Sequence, residues 1–306
     1  MSVLTAVGYY SSPKTVSYGP LPQTIMVYDH TAPSTRYWAG PTTLDENDLL
    51  SVRGEERFHN PSNYGLVGLP IISEPWANFR LHFDKDCYQA APLTSRQQLA
   101  IDRIVRTAEE LPNGTMTWRY DFALNYLNLV YEPGFNSAFS QAVNIAALLF
   151  AECKTGKAEY FALAKAASKA LILPISEGGL LNDEDGLTFF EELPAPKGLS
   201  PYILNAHIFS TNVLYAMANR ANDNSFGDYA RRGVETLIKL IPRYDDPKCI
   251  RYDLINANPP CNPDYDAYEA VLLDDLYEWS YDERVSKIAA RWKERVIQSK
   301  KALQVP

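Results

Sequence analysis

The chain has no apolar run that approaches the roughly 20 residues needed to cross a bilayer; the longest, Ile145 to Ala151, is far too short. A membrane span is excluded. Basic residues are in deficit, 29 Lys and Arg against 37 Asp and Glu, for a net charge of −8. The overall positive footprint of a nucleic-acid binder is therefore missing, and a polyanionic partner needs a locally basic groove. Cysteine is scarce: Cys87, Cys153, Cys249 and Cys261 show neither CxxC spacing nor a neighbouring His. That argues against a zinc site and reads as four reduced thiols. The four histidines, His30, His59, His82 and His207, lack metal-ligand spacing, and Asp183-Glu-Asp185-Gly186 lacks the distal Glu of a calcium loop. No metal or other cofactor is expected. There is no GxGxxG, P-loop or GxSxG, which leaves nucleotide and α/β-hydrolase chemistry without support. Met1 to Tyr10 has no basic leader segment, so the expected location is cytoplasmic.

What is present is an ordinary globular composition, with 46% apolar and 22% charged residues in 306. Residues 1–90 are rich in proline and tyrosine, as in Tyr18-Gly-Pro-Leu-Pro-Gln23 and Tyr37-Trp-Ala-Gly-Pro41. They read as an extended arm containing short strands or turns. From Leu93 the pattern changes to apolar residues at three- and four-residue steps after a Thr/Ser cap, an amphipathic helix running to about 111. Further helices are expected at about 137–154, 158–173, 201–220, 226–241, 265–279 and 283–300. The expected fold is mainly α, an incomplete α/α toroid over 91–306 carrying the 1–90 arm.

Two long irregular loops interrupt this scaffold, 176–194 and 244–263, and loops of this kind often carry function. The first ends Phe189-Phe190-Glu191-Glu192. A carboxyl packed among aromatic rings loses hydration, and its pKa rises toward the range a general acid or base needs. The second brings Arg251-Tyr252-Asp253 and Asp264-Tyr265-Asp266 to either side of a Pro/Asn-rich stretch. A phenol works as acid or base only when neighbours tune it. His207, shortly after Asn205, is the one histidine expected near such a cavity. Taken alone, a Glu pair is more often a solvated turn, and most tyrosines are packing residues.

Several segments in one order resemble the C-terminal helical domain of the D-glucuronyl C5-epimerase family. His59-Asn60-Pro61-Ser-Asn-Tyr64-Gly65-Leu66 is similar to the family's Asn-Pro segment, and Trp118-Arg-Tyr120 to its Trp-x-Tyr. Phe190-Glu191-Glu192-Leu193-Pro194 with Tyr202-Ile-Leu204-Asn205 resembles Tyr-Glu-Glu-Tyr-Pro followed by Val-Leu-Asn-Gly. Tyr252-Asp-Leu254 and Asp264-Tyr265 match Tyr-Asp-Leu and Asp-Tyr. The resemblance implies a proton-transfer isomerase acting on a uronate sugar or a diverged small biosynthetic substrate, with Glu192, Tyr252 and Tyr265 catalytic. Glu191, Asn205, His207, Trp118, Tyr120, Tyr64 and Arg251 are the implied substrate-binding residues. The family's Arg after Tyr-Asp-Leu is Ile255 here, and its His after Asp-Tyr is Asp266.

The chemistry explains the residue types. A hydrogen alpha to a carboxylate is very weakly acidic, so one group must remove it while another returns a proton from the opposite face. The alternatives left open are a cyclase or lyase on the same scaffold, or a non-catalytic carbohydrate-binding protein. The expected partner is a small-molecule or oligosaccharide substrate, with a homodimer as the candidate assembly.

Overall fold

Helix starts follow the capping chemistry written in the sequence. In the computed structural model, which describes residues 14–18, 23–27, 43–69, 92–256 and 263–303, Thr94 forms a capping box with Gln97 and opens the helix Ser95–Thr107. Ser137 caps Ala138–Thr155, which ends at Gly156 in the left-handed conformation that glycine tolerates. Asp223 caps Asn224–Tyr244.

Eight helices appear among the described residues: α1 (Pro61–Gly68), α2 (Ser95–Thr107), α3 (Ala138–Thr155), α4 (Ala158–Ile172), α5 (Leu204–Ala221), α6 (Asn224–Tyr244), α7 (Pro263–Ser280) and α8 (Glu283–Leu303). Helix α1 packs on α3, α3 on α5, and α5 on α7, forming an inner row. Each inner helix pairs with the next in sequence, α1 with α2, α3 with α4, α5 with α6 and α7 with α8. This alternation of inner and outer helices is the arc of an incomplete α/α toroid. The inner helices are buried nearly all round, as an inner layer must be; α3 buries Gln141, Asn144 and Ser140 along with its apolar residues.

Short strands complete the fold: β1 (Lys14–Tyr18), β2 (Gln23–Val27), β3 (Thr43–Leu44), β4 (Ser51–Arg53), β5 (Glu56–Phe58), β6 (Glu109–Glu110), β7 (Met116–Thr117), β8 (Leu124–Tyr126), β9 (Leu129–Tyr131), β10 (Leu181–Asn182) and β11 (Phe189–Phe190). The β1–β2 hairpin adds to the β8–β9 hairpin in the order β1-β2-β9-β8. Behind this sheet lies a second apolar cluster of Ile25, Phe58, Tyr120, Phe122, Leu129, Tyr131 and Phe135, separate from the main helical core. The stretch read as an extended arm thus supplies strands and also α1, a member of the inner row that the sequence reading did not place.

One expectation is corrected. Cys153 and Cys249 are each disulfide-bonded, not reduced thiols, and such bonds belong mostly to oxidising compartments. Cys87, Cys261, His30, His82, the Tyr37–Pro41 turn and residues 1–10 lie outside the described residues. No described helix is long and apolar enough to cross a membrane.

Candidate active site

The N-terminal ends of all four inner helices converge on one cavity of about 780 Å³. Asn60, Ser62, Asn63 and Leu66 reach it from the start of α1, Ser137 and Phe139 from α3, Asn205 from α5, and Asp264, Tyr265 and Tyr268 from α7. The sheet side contributes Tyr120, Phe122, Asn125 and Tyr126, and the loop after α6 contributes Tyr252, Asp253 and Asn256. The wall combines aromatic rings with carboxyl, amide and hydroxyl groups, the mixture expected of a pocket that recognises a small polar ligand.

Glu192 reaches the cavity because of its place after β11. Asn182 and Phe189 pair across the β10–β11 hairpin, and the Glu191 backbone continues it, donating to Leu180 O and accepting from Ala138 N. Successive side chains of extended chain point to opposite faces. Glu191 therefore turns inward, 0% exposed, accepting from Asn182 Nδ2 at 3.0 Å and from Tyr202 N at 3.2 Å. Glu192 lines the cavity, accepting a 3.1 Å bond from the Tyr252 hydroxyl.

Tyr252 is fixed by its backbone. Leu204 N at the start of α5 donates to Tyr252 O at 2.9 Å, and Leu254 N donates to Pro201 O at 3.0 Å. This short ladder ties the loop after α6 to the helix that carries Asn205. The Tyr265 ring meets Tyr252 edge-on at 5.0 Å, and α7 sets Tyr268 beside it, edge-on at 6.2 Å.

Burial dominates the electrostatics. It pushes the Glu192 carboxyl up to about 7 against the lowering effect of its bonds to Tyr252 and Asn205. Glu191 is pushed up to about 8 by burial, against the lowering effect of its bonds to Asn182 and Tyr202. Tyr252 and Tyr265 are both held above the ordinary phenol value, first by burial and then by the nearby Glu192. A carboxyl poised near neutrality, bonded to a neutral phenol, is able to take or give a proton at physiological pH.

The structure brings together five of the residues expected from sequence: Glu192, Tyr252, Tyr265, Asn205 and Tyr120 all line the cavity. Five others do not line it. Trp118 is fully buried, with Nε1 donating to Ile104 O at 2.8 Å, and it borders a smaller depression together with Tyr64, whose hydroxyl bonds His59. His207 accepts from Phe190 N through Nδ1, so Nε2 donates to Gly233 O. Stacked on Phe189 and pushed down to about 4 by burial, it stays neutral and ties β11 to α6. Arg251 donates to Asn256 O, bracing the loop, and Glu191 is the inward carboxyl described above. Among the described residues, no group of three or more potential metal ligands is assembled.

A model of the D-glucuronyl C5-epimerase C-terminus matches residues 112–294. The chain belongs to this D-glucuronyl C5-epimerase C-terminal family. Within curated proteins it is 29% identical over 181 residues to the D-glucuronyl C5-epimerase of Caenorhabditis elegans, covering 54% of this chain and 29% of that one. It is 26% identical over 183 residues to an uncharacterized protein of Methanocaldococcus jannaschii, covering 58% of each. The match thus spans between a quarter and three fifths of these relatives. Among solved structures it is similar to the GH76 alpha-mannanase of Bacteroides thetaiotaomicron, at TM-score 0.49 and 12% identity over 79% of this chain and 59% of that one. A D-mannose isomerase structure gives TM-score 0.46 and 13% identity over 78% and 60%. The family match includes Glu192, Tyr252 and Tyr265 but leaves out α1, whose Asn60, Ser62 and Asn63 also reach the cavity.

Sequence reasoning missed Tyr126, Asn125, Asn63 and Tyr268 as lining residues. Asn60 and Pro61 did carry a signal for α1, a helix cap followed by proline at the first helical position.

Proposed function

We propose that the protein is a carbohydrate isomerase that inverts a sugar carbon by proton transfer, with Glu192 and Tyr252 as the acid-base pair and Tyr265 supporting them. The observation that carries this reading is the buried Glu192, pushed up to about 7, bonded to Tyr252 at the wall of the cavity. Family membership points to a D-glucuronyl unit as the substrate class. Inversion next to a carboxylate builds negative charge on that group, and the site must hold it. The converging N-terminal ends of α1, α3, α5 and α7 supply partial positive charge in that direction, which compensates for Ile255 standing at the family's Arg position. Asn205 and Tyr120 are read as substrate contacts. The disulfide-bonded Cys153 and Cys249 favour work in an oxidising compartment over the cytoplasm.

The test is incubation in D2O with oligosaccharides containing D-glucuronyl residues, following the C5 proton by NMR. Loss or inversion of that signal, with inversion abolished in Glu192→Gln, is the expected result. A folded wild-type protein that exchanges no C5 proton refutes the reading.

A further inference from the structure

We propose that Tyr126, positioned by Asp253, is a second proton-transfer group of this cavity, working across the reacting carbon from the Glu192–Tyr252 pair. The inference rests on the acid-base reading above and extends it to a residue on the sheet side of the wall. Tyr126 closes β8, and both it and Asp253 line the cavity. Its hydroxyl donates to Asp253 Oδ2 at 2.7 Å, across 127 residues of sequence. Asp253 is buried, and its other oxygen accepts from Ile255 N at 2.9 Å and Asn256 N at 2.6 Å. The carboxyl is therefore locked on both oxygens, and Tyr126 is aimed by it.

Adjacent residues thus serve two different pairs. The Tyr252 side chain bonds Glu192, and the Asp253 side chain bonds Tyr126. The two phenol rings stand 6.5 Å apart, tilted at 56°. The loop after α6 supplies one member of each pair, while Glu192 comes from the end of the β10–β11 hairpin and Tyr126 from β8. Inversion at carbon requires this duplication, since a single carrier returns the proton to the face it left.

The proton balance closes without any co-reactant. Tyr126 takes the carbon-bound proton at its oxygen while passing its own to Asp253, so no phenolate accumulates. The electron pair of the broken C–H bond moves into the neighbouring carboxyl group as an enolate. Glu192, in its protonated form, then delivers a proton to the opposite face, and the new C–H bond forms as the enolate collapses. In the reverse direction Asp253 returns its proton to Tyr126, which gives its own to carbon. Burial and the facing carboxylates of Asp253 and Glu192 hold the Tyr126 phenol in its protonated form, as this relay requires.

The experiment uses the full chain in D2O with oligosaccharides carrying D-glucuronyl residues and, separately, the same oligosaccharides carrying the C5 epimer. In wild type both epimers exchange and interconvert. In Tyr126→Phe, which removes one oxygen, inversion falls about 100-fold or more, while exchange with retention survives from the one epimer whose proton faces Glu192. Asp253→Asn keeps an acceptor oxygen for the two backbone amides and is expected to show the same one-sided exchange. Glu192→Gln leaves exchange only from the other epimer. Inversion by Tyr126→Phe within about threefold of wild type, or equal loss of exchange from both epimers in a variant with an unchanged melting temperature, overturns the role of Tyr126 alone. A folded wild type that exchanges neither epimer overturns the acid-base reading itself, and this inference with it.

Discussion

The Tyr252 hydroxyl donates to Glu192 Oε1 at 3.1 Å, and the bond lowers a carboxyl pKa that burial has pushed up to about 7. The phenol thus sets the pH at which the carboxyl changes charge. Tyr252→Phe removes the donor and leaves burial unopposed on that oxygen, so the Glu192 pKa moves above its wild-type value. The limb of the kcat/KM–pH profile that belongs to Glu192 shifts to higher pH, and the maximal rate falls about 10²-fold or more. A profile whose limb stays in place in Tyr252→Phe detaches the phenol from the carboxyl.

Stability carries the same signature with a definite sign. Glu191 and Glu192 titrate at about 8 and about 7 in the folded protein, against 4.5 for an ordinary Glu. Between these values the folded state binds more protons than the unfolded one, so unfolding free energy falls as pH rises. The melting temperature is expected to drop from pH 4.5 towards 8 on account of these two groups. Glu192→Gln removes the portion of the slope between about 4.5 and 7 and leaves the Glu191 portion, read by scanning calorimetry across that range. Identical slopes in wild type and variant contradict the buried placement of Glu192.

Helices α2 to α8 were legible because each holds enough residues for periodicity and caps to show, Thr94 with Gln97 and Ser137 being plain examples. Helix α1 was not, since eight residues with two glycines and one proline leave little periodicity to read. The strands that build the sheet wall are three to five residues long, and their pairing joins residues 25–27 to 129–131, a register no local pattern encodes. Glu192, Tyr252 and Tyr265 came from resemblance, whereas Tyr126 is one of 20 tyrosines and acquires meaning only through Asp253. The resemblance also pointed at Trp118, and closeness in sequence to Asn205 pointed at His207, because a position along the chain does not distinguish a wall from the packing behind it.

That distinction is measurable at His207. Its ring satisfies Phe190 N and Gly233 O inside the core. His207→Leu leaves Phe190 N buried without its acceptor, at a cost of about 1–3 kcal/mol, while Gly233 O keeps its bond within helix α6. The expected outcome is a lower urea midpoint with KM unchanged in the folded protein at low temperature. A raised KM with unaltered stability would instead return His207 to the substrate contacts.

Gly65 makes the last prediction, because there the usual preference of helices is reversed. Gly→Ala in an exposed helix interior gains roughly 0.5–1 kcal/mol. At Gly65 a Cβ would lie 2.6 Å from the Val143 carbonyl carbon and 2.8 Å from Asn144 N, so it meets the backbone of α3, which has no rotamer to yield. Gly65→Ala must therefore push α1 away from α3, and overpacking of this kind costs about 1–3 kcal/mol. Because α1 and its cap carry Asn60, Ser62 and Asn63 to the cavity, the displacement also moves three polar groups of the wall. The expected result is a lower urea midpoint together with weaker binding of glucuronyl oligosaccharides by calorimetry. A midpoint at or above the wild-type value would mean that α1 and α3 do not approach this closely, and that the inner row is looser at its first helix than at the others.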